Sequence, residues 1–400
     1  MWTYEETHPW IDFSVDLRGL QPHDWLLLGE ARSKCEHIAG VPLLPDVARQ
    51  LHRVSLIKGA AATTAIEGNT LSEDEVGDRV DGIKRLPASR EYLGVEVDNV
   101  VAAYNMIVSE LAEGELHALT PVRIKQMNSR VLDGHELADG VVPGQVRTHD
   151  AGVPGYRGAP AGECEHLLER LCAWLESDDF RHEDDAWAFC LVCVRAVIAH
   201  LYIEWIHPFG DGNGRTGRLV EYQLLLASGF VPSPAAHLLS NHYNLTRPRY
   251  YRALDEARQK GSGELAFVRY AMEGFVDGLR EQLSMIWEQQ MAVMWRDYVY
   301  DRLRAGYRNV SSAPAVRVRE LVLALSEPTA RSRMTQLSPR VAKLYATASQ
   351  KTLTRDLQAM EALGLVVRDG ELFRPKRESL LSFLPLQAPR DASGQPPGQA

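Results

Sequence analysis

Twelve consecutive residues restrict this chain more than any others: His207-Pro208-Phe209-Gly210-Asp211-Gly212-Asn213-Gly214-Arg215-Thr216-Gly217-Arg218. They join two apolar runs with helical spacing, residues 186–205 and 219–227. The join must be a tight turn, because glycine takes positive φ and close backbone approach without steric cost. The turn feeds directly into a helix start, whose unpaired N–H groups and dipole make an anion site. Arg215 and Arg218 are three residues apart, so they share one side of the first helical turn and add fixed positive charge. Asp211 suits a hard cation such as Mg²⁺ held against phosphates. His207, at the lip of the turn, is placed to accept a proton. A P-loop is excluded, since its Gly-Lys-Ser/Thr is absent and the stretch has no lysine. The pattern points to phosphoryl or nucleotidyl transfer.

The same stretch resembles the signature of the Fic family, His-Pro-Phe-x-Asp-Gly-Asn-Gly-Arg-x-x-Arg, at every specified position. The resemblance covers roughly residues 1–280 and implies a mainly α fold, an all-helical core with a small β-hairpin flap. It also implies an enzyme, a protein adenylyltransferase that moves AMP from ATP to a Ser, Thr or Tyr hydroxyl of a target protein or of itself. By the same resemblance His207 is the general base and Asp211 holds Mg²⁺ between the α- and β-phosphates. Gly212, Asn213 and Gly214 form the anion hole, Arg215 and Arg218 hold the β- and γ-phosphates, and Phe209 anchors the loop. ATP is then the substrate and Mg²⁺ the cofactor.

A second informative stretch is Thr63-Thr64-Ala65-Ile66-Glu67-Gly68-Asn69. Residues 46–65 have helical spacing, and Gly68 supplies the left-handed cap that ends such a helix. A glutamate at a helix C-terminus opposes the dipole, which hints at a partner for Glu67 elsewhere. The stretch resembles the inhibitory helix motif of many Fic proteins, Ser/Thr-x-x-x-Glu-Gly/Asn. That likeness implies that Glu67 pairs with Arg218, where the γ-phosphate would otherwise bind. It leaves open a bifunctional enzyme that also removes AMP, with Glu67 positioning water. Gly214 argues against the kinase-like relatives, in which a lysine often stands at that place. Residues 143–160 alternate with Gly and Pro and suggest a short hairpin; in the family this segment is a flap that pairs with the target backbone. Tyr250 and Tyr251 fall where Fic proteins commonly place aromatic residues near the adenine. His200 and Glu204, on the helix before the motif, read as supporting groups.

Elsewhere the spacing predicts helices over 25–38, 90–113, 120–132, 162–176, 243–258 and 265–301, with Ser72 and Glu75 as a capping box. Residues 1–21 read as an irregular, aromatic-anchored arm. Residues 311–378 carry twelve Lys and Arg against seven Asp and Glu, a local +5 in a chain of net charge −9. There, 338–345 and 350–363 read as helix, turn, helix, and 364–374 as a two-stranded wing. The stretch resembles winged helix-turn-helix domains, with Gln350, Lys351, Thr354 and Arg355 on the recognition helix. The expected organisation is 1–85 as an N-terminal helical region with the inhibitory motif and 86–280 as the Fic core. A linking helix at 281–310, a winged helix-turn-helix domain at 311–378 and a disordered tail at 379–400 follow. A DNA-binding regulator whose core senses nucleotide is the alternative reading, with DNA bound through 311–378, and a homodimer is a further possible partner. Five cysteines are sparse and odd in number, and Cys190-x-x-Cys193 lies in an apolar helical run, so buried thiols are expected. With no run of 18 apolar residues and no basic leader, the expectation is no membrane association and a cytoplasmic site.

Overall fold

A computed structural model describes residues 2–83, 86–115, 118–153, 155–259 and 263–383. Pro154 in the expected flap, Arg85 at the expected end of the N-terminal region, and the expected tail beyond residue 383 lie outside these residues. The chain forms two compact units, Met1–Leu283 and Ser284–Ala400.

The first unit is helical, and local chemistry sets its helix ends. The arm expected to be irregular contains one turn, α1 (Tyr4–Thr7), followed by α2 (Pro22–Gly40). Next come α3 (Pro45–Ile66), α4 (Glu73–Val80), α5 (Glu91–Glu113) and α6 (Pro121–Val131). Ser72 and Glu75 cap α4 reciprocally, Thr120 Oγ1 accepts from Arg123 N at 3.1 Å to open α6, and Gly114, with φ 73°, closes α5. An antiparallel pair follows, β1 (Gly152–Val153) and β2 (Tyr156–Arg157), and then α7 (Cys164–Leu175), α8 (Asp185–Ile206) and α9 (Asn213–Ala227). After α10 (Ser233–Ala236), the helix expected over 243–258 is broken. α11 (Leu238–Leu245) and α12 (Arg247–Glu256) part at Thr246, because Pro248 has no N–H to extend the ladder of α11.

α8 is the core of this unit. It has the length and apolarity of a membrane span, with a mean hydropathy of 1.9, yet 67% of that window is buried inside the folded unit. Ala196 to Ile203 are all buried, and α9 packs along it with nearly every residue buried. Each large apolar side chain so buried contributes about 1.5–3 kcal/mol. α3 lies against α4, α5 and α11, so residues on both sides of position 85 belong to one body. Its approach depends on Gly59, where a Cβ would lie 2.4 Å from Nδ1 of His237. All five cysteines are free, and burial pushes the Cys35 and Cys172 thiols up to about 12, which makes them poor nucleophiles.

α13 (Gly263–Gly306) supplies its later turns to the second unit. Trp295, Val299 and Leu303, spaced four apart, enter that unit's core, so this stretch is a packed element of the unit. The unit adds α14 (Ala313–Ala324), β3 (Thr329–Ala330), α15 (Pro339–Tyr345), α16 (Gln350–Ala362), β4 (Val366–Asp369) and β5 (Leu372–Pro375). Ser338 and Ser349 cap α15 and α16, and the antiparallel sheet runs β3-β5-β4. Sequence reading anticipated the β4–β5 pair but not the two-residue β3.

His237 gives the first unit a pH dependence. The ring is buried between Tyr222, with centroids 4.6 Å apart, and Tyr104, at 4.5 Å, and its Nδ1 has no hydrogen-bond partner. Burial lowers its pKa to about 3 from 6.5. Between those values the unfolded chain binds a proton that the folded chain does not, so stability falls as pH drops through that window. The melting temperature should fall more steeply over that range in wild type than in His237→Phe. Parallel pH curves would remove His237 as the cause.

Candidate active site

The turn between α8 and α9 is held by side chains at every step. His207 caps α8 in the left-handed region, φ 48° and ψ 58°, and its N–H bonds Ile203 O at 2.9 Å. Positive φ is uncommon for a non-glycine residue and has to be stabilised by its surroundings. Arg147, buried, does this: its Nε donates to His207 O at 2.7 Å, and its other nitrogens donate to the carbonyls of His149 and Ala159. The Arg147 N–H also bonds Pro208 O at 3.0 Å, and Ala159 N bonds Ile206 O at 3.2 Å. One residue thus ties both arms of the flap to the turn between α8 and α9. Gly158 is needed here, because a Cβ would lie 2.6 Å from His207 Cβ. Beyond His207, Phe209 is buried as expected for an anchor. Asn213 clamps it: Phe209 N donates to Asn213 Oδ1 and Asn213 Nδ2 donates to Phe209 O, both at 2.9 Å. Gly212, with φ 76°, turns the chain into α9, and Asn128 Nδ2 donates to Asp211 O at 2.9 Å.

His207 is buried, 9% exposed. Burial lowers its pKa below 6.5, partly opposed by the nearby Glu204 carboxylate, so the imidazole is neutral at pH 7 and free to accept a proton. Burial alone would push His200 down as well, but the Glu221 and Glu204 carboxylates hold its pKa above the usual value. His200 lies 3.4 Å from Glu221 and 3.6 Å from Glu204, and its Nε2 meets the Tyr250 hydroxyl at 3.1 Å. Tyr243 OH donates to Glu221 at 2.8 Å, which completes a buried polar network beneath the loop.

At the start of α9, Glu67 from the end of α3 meets Gly214 and Arg218. Arg218, 1% exposed, donates from Nε to Thr63 Oγ1 at 2.7 Å and from NH2 to Thr63 O at 3.0 Å and Glu67 Oε1 at 2.6 Å. A Cβ on Gly214 would lie 2.2 Å from Glu67 Oε1, so the carboxylate rests directly on this glycine. Gly68 takes φ 100° to turn the chain after Glu67. Arg215 has different company: NH1 donates to Glu96 Oε1 at 2.8 Å and NH2 to Asp211 Oδ1 at 3.3 Å. Its contacts in this structure are carboxylates, which differs from the phosphate role implied by the motif. Asp211 is half exposed, and its Oδ1 also accepts from Gly212 N. Among the described residues no group of three His, Cys, Asp or Glu could hold a metal ion. A single exposed carboxylate nevertheless fits Mg²⁺, which is usually held by one or two carboxylates together with substrate phosphates and water.

The two candidate adenine tyrosines separate. Tyr250 is 1% exposed and stacks on Tyr243, with centroids 4.9 Å apart, so it has no free face for a ligand; it is a core residue because α12 turns it onto α11. Tyr251 is half exposed, and its hydroxyl donates to Ile66 O at 3.2 Å, one residue before Glu67. Arg147, Asn128 and Glu96 carry no signal in the sequence, since a lone charged or amide side chain on an amphipathic helix or in a loop reads as surface.

The helical unit thus carries a histidine-led turn, a flap pinned to it, and a carboxylate resting on the glycine and arginine at the start of α9. Residues 118–225 match the Fic/DOC family, and the chain's helical fold is that of Fic proteins. In sequence the chain is 33% identical over 209 residues to protein adenylyltransferase fic-1 of Caenorhabditis briggsae, covering 52% of this chain and 37% of that protein. It is 29% identical over 206 residues to protein adenylyltransferase Fic of Culex quinquefasciatus, covering 50% and 38%. The chain therefore spans well under half the length of these curated relatives. Among solved structures it is similar to a Fic family protein from Desulfovibrio desulfuricans G20, with a TM-score of 0.54 and 20% identity over 89% of this chain and 96% of that one. It is similar also to a fragment of Fic-1 from C. elegans, with a TM-score of 0.54 and 25% identity over 66% and 73%.

Asn213→Ala removes both clamp bonds and leaves two buried backbone groups of Phe209 unpaired. It should lower the unfolding free energy by about 2 kcal/mol in urea titration. An unchanged midpoint would mean that the loop does not need the clamp.

Proposed function

We propose that this chain is a protein adenylyltransferase that uses ATP, restrained by Glu67. The observation that carries the reading is the placement of one carboxylate, Glu67, on both Gly214 and Arg218 beside a neutral His207. An anion is bound where a motif of this type would bind phosphate.

In this account His207 takes the proton of a target hydroxyl as its oxygen bonds the α-phosphorus. The bond from that phosphorus to the bridging oxygen breaks, and pyrophosphate leaves with the electron pair. Backbone N–H groups at the start of α9 face the phosphoryl oxygens as charge develops, and such donors act strongly in a site shielded from water. Arg218 binds the outer phosphate. Mg²⁺, carried on Asp211, would neutralise charge on the phosphates. The flap, fixed to His207 through Arg147, presents β-type backbone to the target and sets the distance between hydroxyl and base. Glu67 blocks this by occupying Arg218 first.

With Mg²⁺ and ATP, an AMP adduct should appear by intact mass in Glu67→Gly and not in wild type. His207→Ala in that background should cut the rate by ~10²–10⁴. Adduct formation that persists without His207 would remove it as the base. Because burial lowers the His207 pKa, the Glu67→Gly rate should be flat above pH 6.5 and fall only at more acid pH. A rate still rising through pH 8 would contradict a neutral imidazole base.

A second reading concerns residues 311–378, proposed here as a winged helix-turn-helix domain. It is supported by the exposure of Gln350, Lys351 and Arg355 at the start of α16, next to Arg331, which bonds Thr354 Oγ1 at 2.8 Å. Such a face suits duplex DNA. A salt-dependent gel shift lost in Lys351→Glu/Arg355→Glu would support it, and the absence of any shift at low salt would dismiss it.

A further inference from the structure

Glu96 is a buried carboxylate on α5 with both oxygens occupied. Oε1 accepts from Arg215 NH1 at 2.8 Å, and Oε2 accepts from Asn69 Nδ2 at 2.8 Å. Arg215 passes the connection on, its NH2 reaching Asp211 Oδ1 at 3.3 Å. Asn69 is fixed in turn: Nδ2 also donates to Leu93 O at 2.9 Å, and Oδ1 accepts from Leu71 N at 3.0 Å. One continuous chain, Asn69–Glu96–Arg215–Asp211, therefore runs from two residues past Glu67 to the carboxylate of the catalytic loop.

A buried carboxylate is costly unless it is paired, so its retention here calls for a role. Arg215 is 6% exposed and lies between two carboxylates, only one of which is half exposed. If Glu96 were neutral, the guanidinium would have Asp211 as its remaining anionic partner and would compete with any cation there. We propose that Glu96 is a positioning residue: by neutralising Arg215 it leaves Asp211 available to Mg²⁺. Through Asn69 the same carboxylate anchors the segment after Glu67, so the seating of the brake and the state of the metal carboxylate share one support. This rests on the adenylyltransferase reading only in taking Asp211 as the Mg²⁺ carboxylate.

The test is calorimetry of ATP binding to the full chain carrying Glu67→Gly, with and without Mg²⁺, alongside the Mg²⁺ dependence of transfer. Glu96→Gln should raise the half-saturating Mg²⁺ concentration about tenfold, the usual effect of losing a group that supports a metal ligand, and leave Mg²⁺-free ATP affinity unchanged. Adding Arg215→Gln to Glu96→Gln should restore Mg²⁺ affinity by removing the competing cation, a rescue that lost packing would not produce. Should Glu96→Gln melt below the assay temperature, Glu96→Asp keeps the charge and should stay within a few fold of the parent. An unchanged Mg²⁺ response, a failed rescue, or a fall in Mg²⁺-free ATP affinity would each overturn the proposal. So would a Mg²⁺ dependence that survives Asp211→Ala. Because binding is read without turnover, a Mg²⁺ shift in a protein that transfers no AMP would uphold Glu96 and sink the transfer reading instead.

Discussion

Arg218 is a guanidinium buried to within 1% of full enclosure, and it cannot remain there without an anion. In this structure Glu67 supplies the anion, and Thr63 adds its hydroxyl and its carbonyl. This requirement explains why the two ends of the Thr63–Glu67 stretch are a hydroxyl residue and a carboxylate one helical turn apart: both must face one guanidinium. It also makes the pair exchangeable in the proposed cycle. A nucleotide phosphate satisfies the same charge, so activation replaces one anion by another and never leaves Arg218 bare. The cost of opening is then the difference between two pairings, far smaller than the several kcal/mol of stranding a buried charge.

The remaining architecture serves to bring these groups to one point. α8 is apolar on all sides and sits in the core, so its C-terminus is a fixed platform for His207. α9 leaves the same point in a new direction because Gly212 can take positive φ. α3 reaches it over small residues, with Gly59 against His237, and ends in Glu67 above Gly214. The flap is joined to the platform through Arg147, whose side-chain donors reach four carbonyls on two segments. His207, Gly214, Glu67 and the flap are therefore brought together by shared supports.

The motif loop and the helix ends were legible in the sequence because glycine, proline and capping residues act locally. Ser72 with Glu75, Thr120 with Pro121 and Gly68 each set backbone geometry within a few residues. The Glu67–Arg218 pairing spans 151 positions, and only its resemblance to a known motif made it readable. The partners of Arg215 were not readable at all. Spacing places Arg215 and Arg218 on one side of α9, yet what lies opposite each is set by tertiary packing: α3 over Arg218 and α5 over Arg215. The same holds for Tyr250 and Tyr251, adjacent in sequence, where the orientation of α12 buries one and exposes the other. The break at Thr246 follows from Pro248, whose missing N–H ends the ladder of α11, where a single helix is expected over 243–258. β3 has only two residues, and its pairing with β5 gives it strand character that its own sequence does not announce.

On the proposed function, Glu67 and the nucleotide compete for Arg218. The most direct measurement is the ATP dissociation constant of wild type, Glu67→Gly and Glu67→Gly/Arg218→Ala by calorimetry in Mg²⁺. Competition predicts at least tenfold tighter binding in Glu67→Gly, about 1.4 kcal/mol, with the gain lost when Arg218 is also removed. Equal affinities in wild type and Glu67→Gly would rule competition out, because the carboxylate would then lie on Arg218 without standing in the way of phosphate.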